Sequence, residues 1–227
     1  MIMMQDLYAR YRGGCMMLMR QEGGTALFMG TAFLIHPKGY LLTAAHLLHD
    51  FRENLYVAPR DYGKAFAPMT SSTVVPLPCE VRQIDIDHDI ALLYLPEANE
   101  VSMTGHVMGV PEAVSPGSAI ACLGYPFGFY HVYNFVINQG IVSAKMRSRN
   151  DTHLLLIDTP MLDGMRGGPL ISAGDGRVIG VLSGRFSPEE AMGLPHDETT
   201  AYRRIYAYAI SIEYATPLME AEGLEIV

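Results

Sequence analysis

Cysteine is scarce in this 227-residue chain, and an excess of basic charge is missing altogether. Cys15, Cys79 and Cys122 are too few and too scattered for a disulfide framework, and none forms a CxxC pair. They read as reduced, mostly buried thiols of a cytoplasmic protein. Lysine and arginine number 16 against 24 acidic residues, a formal net charge of −8. Without a basic face, nucleic acid is not expected as a partner, and "KMRSR" and "YRR" read as short solvated patches. No run of about 18 apolar residues occurs, so no membrane span is expected. The start, "MIMMQDLYARYRGG", lacks a basic stretch followed by an apolar core, so no secretory signal is read. No glycine-rich loop ends in GK[ST], which removes the Walker type of phosphate cradle. His46 and His49 lie close, and His88 adjoins Asp89, but no third ligand follows at a helpful spacing. Neither a metal nor a cofactor is therefore expected.

What the chain does have is apolar material in short pieces. Hydrophobic residues make up 49% and charged residues 18%, enough for a packed core. Segments such as "CMMLMRQ" (15–21), "ALFMGTAFLIH" (26–36), "YLLTAA" (40–45), "LYVAP" (55–59), "EVRQID" (80–85) and "IALLYL" (90–95) read as strands. So do "AIACLGY" (119–125), "YNFVINQGIVSAK" (133–145), "HLLLID" (153–158), "PLIS" (169–172), "VIGVLSGR" (178–185) and "IYAYAI" (205–210). About a dozen strands broken by Gly, Pro, Asn and Asp indicate an all-β protein of closed antiparallel barrels. "GDGR" (174–177) reads as a tight hairpin turn. Helices are expected only at 3–12, at 44–51 and at 211–223. Long loops are expected at 96–117 and at 186–204, the latter polar and of the length at which loops are often functional. Nearly half of the 15 methionines precede residue 30, which fits gap-filling in a core better than an interaction surface.

Three segments carry groups suited to acyl transfer, which needs a nucleophile, a base, an orienting carboxylate and oxyanion donors. In "GTAFLIHPKGYLLTAAHLL" (30–48), small residues precede His46 and let its ring lie against a neighbouring strand. Taken alone, such a histidine is as readily a structural one. In "DIDHDIALLYL" (85–95), Asp89 opens an apolar strand where a carboxylate can meet an imidazole. Asp85 and Asp87 compete for that role. In "GMRGGPL" (164–170), the glycines permit a tight turn whose amides at Gly164 and Arg166 can point at one spot, as an oxyanion hole requires.

Together these motifs resemble the trypsin-like serine peptidases, and within them the bacterial HtrA/Deg branch. The family's pattern around its histidine matches "GTAF" and "TAAH", its aspartate strand matches "DIALL", and its nucleophile turn G-x-S-G-G-P matches "GMRGGP". Further echoes are "LGYPFGF", "GIVSAK", "GRVIGV" and "YAISIEYA". The resemblance spans roughly residues 25 to 218. It implies the chymotrypsin fold: two antiparallel six-stranded β-barrels, about 13–100 and 115–212, with a short C-terminal helix near 211–223, forming one peptidase domain. It gives His46 the general-base role and Asp89 the orienting role, with Gly164 and Arg166 supplying oxyanion amides. It implies a substrate pocket walled by Thr159, Pro160 and Met161 on one side and by Ser183, Gly184 and Arg185 on the other. No acid stands at the pocket floor, so an apolar P1 residue of medium size is expected. The implied partner is a protein or peptide. No PDZ module follows the barrels in this sequence. The branch often trimerises through N-terminal aromatics, and Tyr8 and Tyr11 are present, which leaves the oligomeric state open.

One departure decides the chemistry. Arg166 stands where the family has its serine, and a guanidinium stays protonated and cannot attack a carbonyl. Neither Ser172 nor Ser183 lies on the turn, and no cysteine does. The expectation is a serine endopeptidase scaffold that is inactive as written, with Arg166 filling the pocket mouth or pairing with Asp89 or Asp163. An engineered inactivation and a natural loss both fit, as does a pseudopeptidase that binds peptides without cutting them.

Overall fold

The computed structural model describes residues 2–48, 51–60, 65–69, 75–96, 107–187 and 206–226. Twelve strands form two closed antiparallel barrels. The first runs β1 (Cys15–Glu22), β2 (Thr25–His36), β3 (Tyr40–Ala44), β4 (Leu55–Pro59), β5 (Leu77–Asp85) and β6 (Ile90–Tyr94), in the spatial order β1-β2-β3-β6-β5-β4. The second holds β7 (Ala119–Gly124), β8 (Val136–Arg147), β9 (His153–Ile157), β10 (Pro169–Ser172), β11 (Val178–Arg185) and β12 (Ala207–Ser211), in the order β10-β11-β12-β9-β8-β7. Every strand expected from the sequence is present.

The strands that reach the seam between the barrels are apolar on both faces, and the reason is visible in their alternation. All five residues of β3 are buried. Leu41 joins the interior of the first barrel with Ala91 and Leu93, while Leu42 and Ala44 join Ile90 and Leu92 in the cluster between the barrels. β7 repeats the scheme, with Ile120 and Cys122 inside the second barrel and Ala121 and Leu123 at the seam. Each fully buried leucine here is worth about 1.5–3 kcal/mol of transfer free energy.

Helix α1 (Met4–Tyr11) occupies the expected N-terminal segment. It precedes the first barrel but docks on the second: Tyr11 donates its hydroxyl to the Gly176 carbonyl at 2.7 Å, and Ile2 donates its amide to Ala173 at 2.7 Å. Tyr8 packs its ring on Phe135. Both aromatics are thus engaged within the chain. Helix α2 (Ala215–Ala221) does the reverse. It follows the second barrel and docks on the first, where Gln83 donates to Glu222 at 2.7 Å and Tyr40 to the same carboxylate at 3.4 Å.

Two helix expectations change in detail. Among its described residues the segment 44–51 holds a 3₁₀ turn at Ala45–Leu48, because Ala44 still pairs with Ile90 on the neighbouring strand and Ala45 donates its amide to the Asp89 carbonyl; residues 49 and 50 lie outside the described residues. The C-terminal helix begins four residues late, since Ser211 completes β12 and Ile212–Tyr214 form a 3₁₀ turn. The 174–177 hairpin is present, with Gly176 at φ +72°. Most of the loop expected at 186–204, and residues 97–106 of the other, lie outside the described residues.

Candidate active site

The seam brings the three motifs together. β3 ends at Ala44, and its 3₁₀ turn lifts His46 to the surface. Asp89 closes the turn before β6 in a left-handed conformation, φ +55°, which aspartate tolerates better than most residues. The His46 ring places Nδ1 3.0 and 2.9 Å from the two carboxylate oxygens of Asp89, and the His46 amide donates to Oδ1 at 2.8 Å. A hydrogen on Nδ1 donates to the carboxylate, which leaves Nε2 as the acceptor nitrogen of a neutral ring. Asp85, a competitor in the sequence, instead binds His88, whose Nδ1 lies 2.6 Å from Oδ2.

Ser183 supplies a third partner for Asp89. Its hydroxyl donates to Oδ2 and lies 3.3 Å from the Tyr208 hydroxyl. The sequence placed Ser183 on a pocket wall but carried no signal for this bond, because the two residues lie on different barrels. Burial alone would raise the Asp89 carboxyl. The His46 ring, by hydrogen bond and charge, the Ser183 hydroxyl and the His46 amide outweigh burial and hold it below its ordinary value. The stabilisation that follows is complete above the unfolded carboxylate range near 3.9 and is lost as pH falls through the lower native value. Denaturant midpoints measured from pH 6 downward should therefore fall more steeply for this chain than for its Asp89→Asn variant.

The glycine turn is built as a close fit. Gly167 has φ +82°, and a Cβ on it would sit 2.2 Å from the Thr31 carbonyl and 2.3 Å from Thr43 Oγ1. A Cβ on Gly168 would meet the Leu123 carbonyl at 2.2 Å. Thr31, in the middle of β2, pins the turn from the other barrel: its amide donates to the Arg166 carbonyl and its hydroxyl to the Gly164 carbonyl, each at 2.8 Å. Gly167→Ala combines left-handed strain with overpacking against main chain. It should cost about 3–5 kcal/mol, read as a lower urea midpoint at unchanged slope.

The oxyanion arrangement differs from the expected one. Asp163–Met165 forms a 3₁₀ turn in which the Arg166 amide donates to the Asp163 carbonyl at 3.1 Å. That amide is satisfied within the turn, so the expected convergence of the Gly164 and Arg166 N–H groups on one point is not the conformation present. The physical reason is that the 3₁₀ turn brings the Asp163 carbonyl into i→i+3 reach of this amide.

Arg166 turns toward Asp163, one of the two carboxylates expected. Its Nη2 donates to Oδ1 at 3.0 Å, and Arg185 Nη2 donates to the same oxygen at 3.0 Å. Asp89 is not its partner. The Arg166 side chain is one-third exposed, and its Nε is buried without a hydrogen-bond partner. Asp163 thereby ties Arg185, on one expected pocket wall, to the segment that continues from the other. Thr159, Met161, Ser183 and Gly184 are buried, while Pro160 and Arg185 are exposed. Asn138 fastens the first wall by donating to the Pro160 carbonyl at 3.3 Å.

All three cysteines are buried, each in a different apolar cluster. Burial pushes the Cys79 thiol up to about 12 and raises Cys15 and Cys122 as well. None is a nucleophile.

The Trypsin-like peptidase domain family matches residues 30–181. A probable periplasmic serine endoprotease, DegP-like, of Pseudomonas fulva (strain 12-X) is 32% identical over 162 residues, 70% of this chain and 29% of its own length. The magnetosome formation protease MamE of Magnetospirillum gryphiswaldense is 25% identical over 168 residues, covering 72% of this chain and 20% of that protein. The chain thus spans under a third of the length of these relatives. Among solved structures, the HtrA-type protease AlgW with tripeptide superposes with a TM-score of 0.70 at 21% identity, covering 96% of this chain and 62% of that one. AlgW with decapeptide gives 0.71 at 19% identity, covering 97% and 67%. These likenesses confirm the chymotrypsin-type double barrel. They overturn the cytoplasmic expectation, since the DegP-like relatives are named periplasmic and MamE is named a magnetosome formation protease. The cysteines misled because thiols that serve as core packing report nothing about the redox compartment.

Proposed function

Because the chain belongs to the trypsin-like peptidase domain family, matched over residues 30–181, we propose that it is a serine endopeptidase scaffold disarmed at its nucleophile position. His46 is the general base, Asp89 orients it, and Arg166 stands where the serine would attack. The single observation that carries this reading is the hydrogen-bonded set His46–Asp89–Ser183, drawn from both barrels onto one carboxylate. Two residues from two elements, His46 and Ser183, thus converge on Asp89. Gly164 and the amide of residue 166 are the oxyanion donors once the Asp163 carbonyl rotates away. Thr159, Pro160, Met161, Ser183, Gly184 and Arg185 form the P1 pocket, and an apolar side chain suits its walls.

In this form the chain binds an extended protein or peptide segment and does not cleave it. Main-chain hydrogen bonds to such a segment do not depend on the nucleophile. The AlgW structures carry a tripeptide and a decapeptide, in line with a peptide as partner here. One observation favours binding as the native role: Arg166 is built into its surroundings through Asp163, which also holds Arg185. The test is labelling by a serine-directed fluorophosphonate probe. The chain with Arg166 should not react, and Arg166→Ser should. Absence of labelling in a folded Arg166→Ser protein would remove the peptidase reading and leave His46 and Asp89 as relics in a binding module.

A further inference from the structure

At the second barrel, three residues distant in sequence meet. Glu112 lies on the 3₁₀ turn Pro111–Ala113 of the connection between the barrels, His153 opens β9, and Glu213 lies on the 3₁₀ turn that follows β12. The antiparallel pairing of β9 with β12 brings the second and third together, with Leu154 opposite Ile210. His153 Nδ1 lies 2.6 Å from Glu213 Oε1. One ligand-type atom from each residue lies within 4.8 Å of the other two.

A second observation comes from the cavity beside them. It has a volume of about 300 Å³, and its lining includes Glu112, His153, Leu155 and Ser211. Ser211 is 2% exposed, and its hydroxyl has no hydrogen-bond partner. A buried hydroxyl left unmatched is destabilising unless something else meets it, and a metal-bound water in the cavity is suited to do so. Two cations are near, and among the described residues neither forms an ion pair with these carboxylates, Lys145 acting on Glu112 only through space. Lys145 Nζ is held by the carbonyls of Pro111, Glu112 and Val114 at 2.9, 3.2 and 3.2 Å, and Arg147 pairs with Asp151 at 3.2 Å.

We propose that Glu112, His153 and Glu213 form a divalent-metal site of the zinc class, joining the inter-barrel connection to the end of the second barrel. The donor set decides the class. Imidazole nitrogen with two carboxylate oxygens suits zinc and its neighbours, whereas calcium takes six or more oxygens and magnesium an octahedron of them. Three protein ligands leave zinc a fourth position open to water. Bonds of about 2.0–2.2 Å require the three donors to draw closer, and exposed Glu112 is the one placed to swing inward. The site is independent of the reading of His46, Asp89 and Arg166.

The test uses the full chain stripped with a chelator and titrated with zinc by calorimetry. One equivalent should bind, and His153→Gln or Glu213→Gln should weaken it at least about 10-fold, a loss that even outer-shell partners of a metal site can produce. His131→Gln, which alters the separate His131–Tyr133 pair, should leave the affinity unchanged. Glu112 is on the surface, so Glu112→Gln keeps the fold and tests the site even where a more buried variant does not fold. Cobalt(II) in place of zinc should add visible absorption bands that vanish in His153→Gln. Absence of zinc uptake, or uptake that these three ligand variants leave intact, overturns the proposal.

Discussion

Arg166→Ser is expected to raise peptide turnover by a factor on the order of 10⁶, about 8 kcal/mol of transition-state stabilisation. The rise follows from restoring a hydroxyl to a turn whose surroundings are otherwise ready: His46 is already oriented by Asp89, and Gly167 and Gly168 already hold the main chain against Thr31 and Leu123. Losing the guanidinium also removes one of the two arginines on Asp163. A fluorogenic peptide library biased toward apolar P1 residues, read as kcat, measures the gain. Part of it is conditional. The amide at position 166 donates to the Asp163 carbonyl, so that peptide group must rotate before the oxyanion is held. A single missing oxyanion donor costs about 10²–10³. A gain that falls short by that factor, recovered when longer peptides occupy the cleft, would locate the deficit in this turn. No gain in a folded variant would refute the assignment of residue 166.

Adding Asp89→Asn to Arg166→Ser is expected to cut kcat about 10⁴-fold relative to Arg166→Ser alone. A carboxylate accepts from Nδ1 and fixes the tautomer in which Nε2 is the base. An asparagine amide can present its NH₂ to Nδ1, and the ring then carries its proton on the wrong nitrogen. The His46 main-chain amide bonds Oδ1 and the Ser183 hydroxyl Oδ2; the Asn carbonyl oxygen can keep the first, and the Ser183 hydroxyl can turn toward Tyr208, so the fold should survive. Paired rate measurements on the two variants at pH 8 and 6 would separate this from a stability effect. A loss under tenfold would mean that Asp89 is structural.

The strands were legible in the sequence because turn residues punctuate them at short intervals and their apolar content is high. The seam strands β3 and β7 were legible as strands although they do not alternate, since each is bounded by glycine or proline on at least one side. The 3₁₀ turn after β3 was harder to read: small and leucine-rich segments suit a helix, and only the pairing of Ala44 with Ile90 extends the strand. His46 and Asp89 could be picked out because their flanking motifs are distinctive. Thr31 could not. A threonine inside an apolar strand carries no mark of the two carbonyls it meets on another barrel. The group Glu112, His153 and Glu213 was equally hidden, because no short spacing links residues that only tertiary pairing makes neighbours.

The crossed docking of the two terminal helices has a mechanical consequence. Each barrel is buckled by a segment that enters or leaves through the other, so neither half can come away as an independent piece. A molecule nicked once between the halves would still migrate as one body, and heating should melt both halves in a single event. Undocking either helix, by contrast, releases one buckle and lets the seam gape, which makes these two helices the points from which the cleft is most easily loosened.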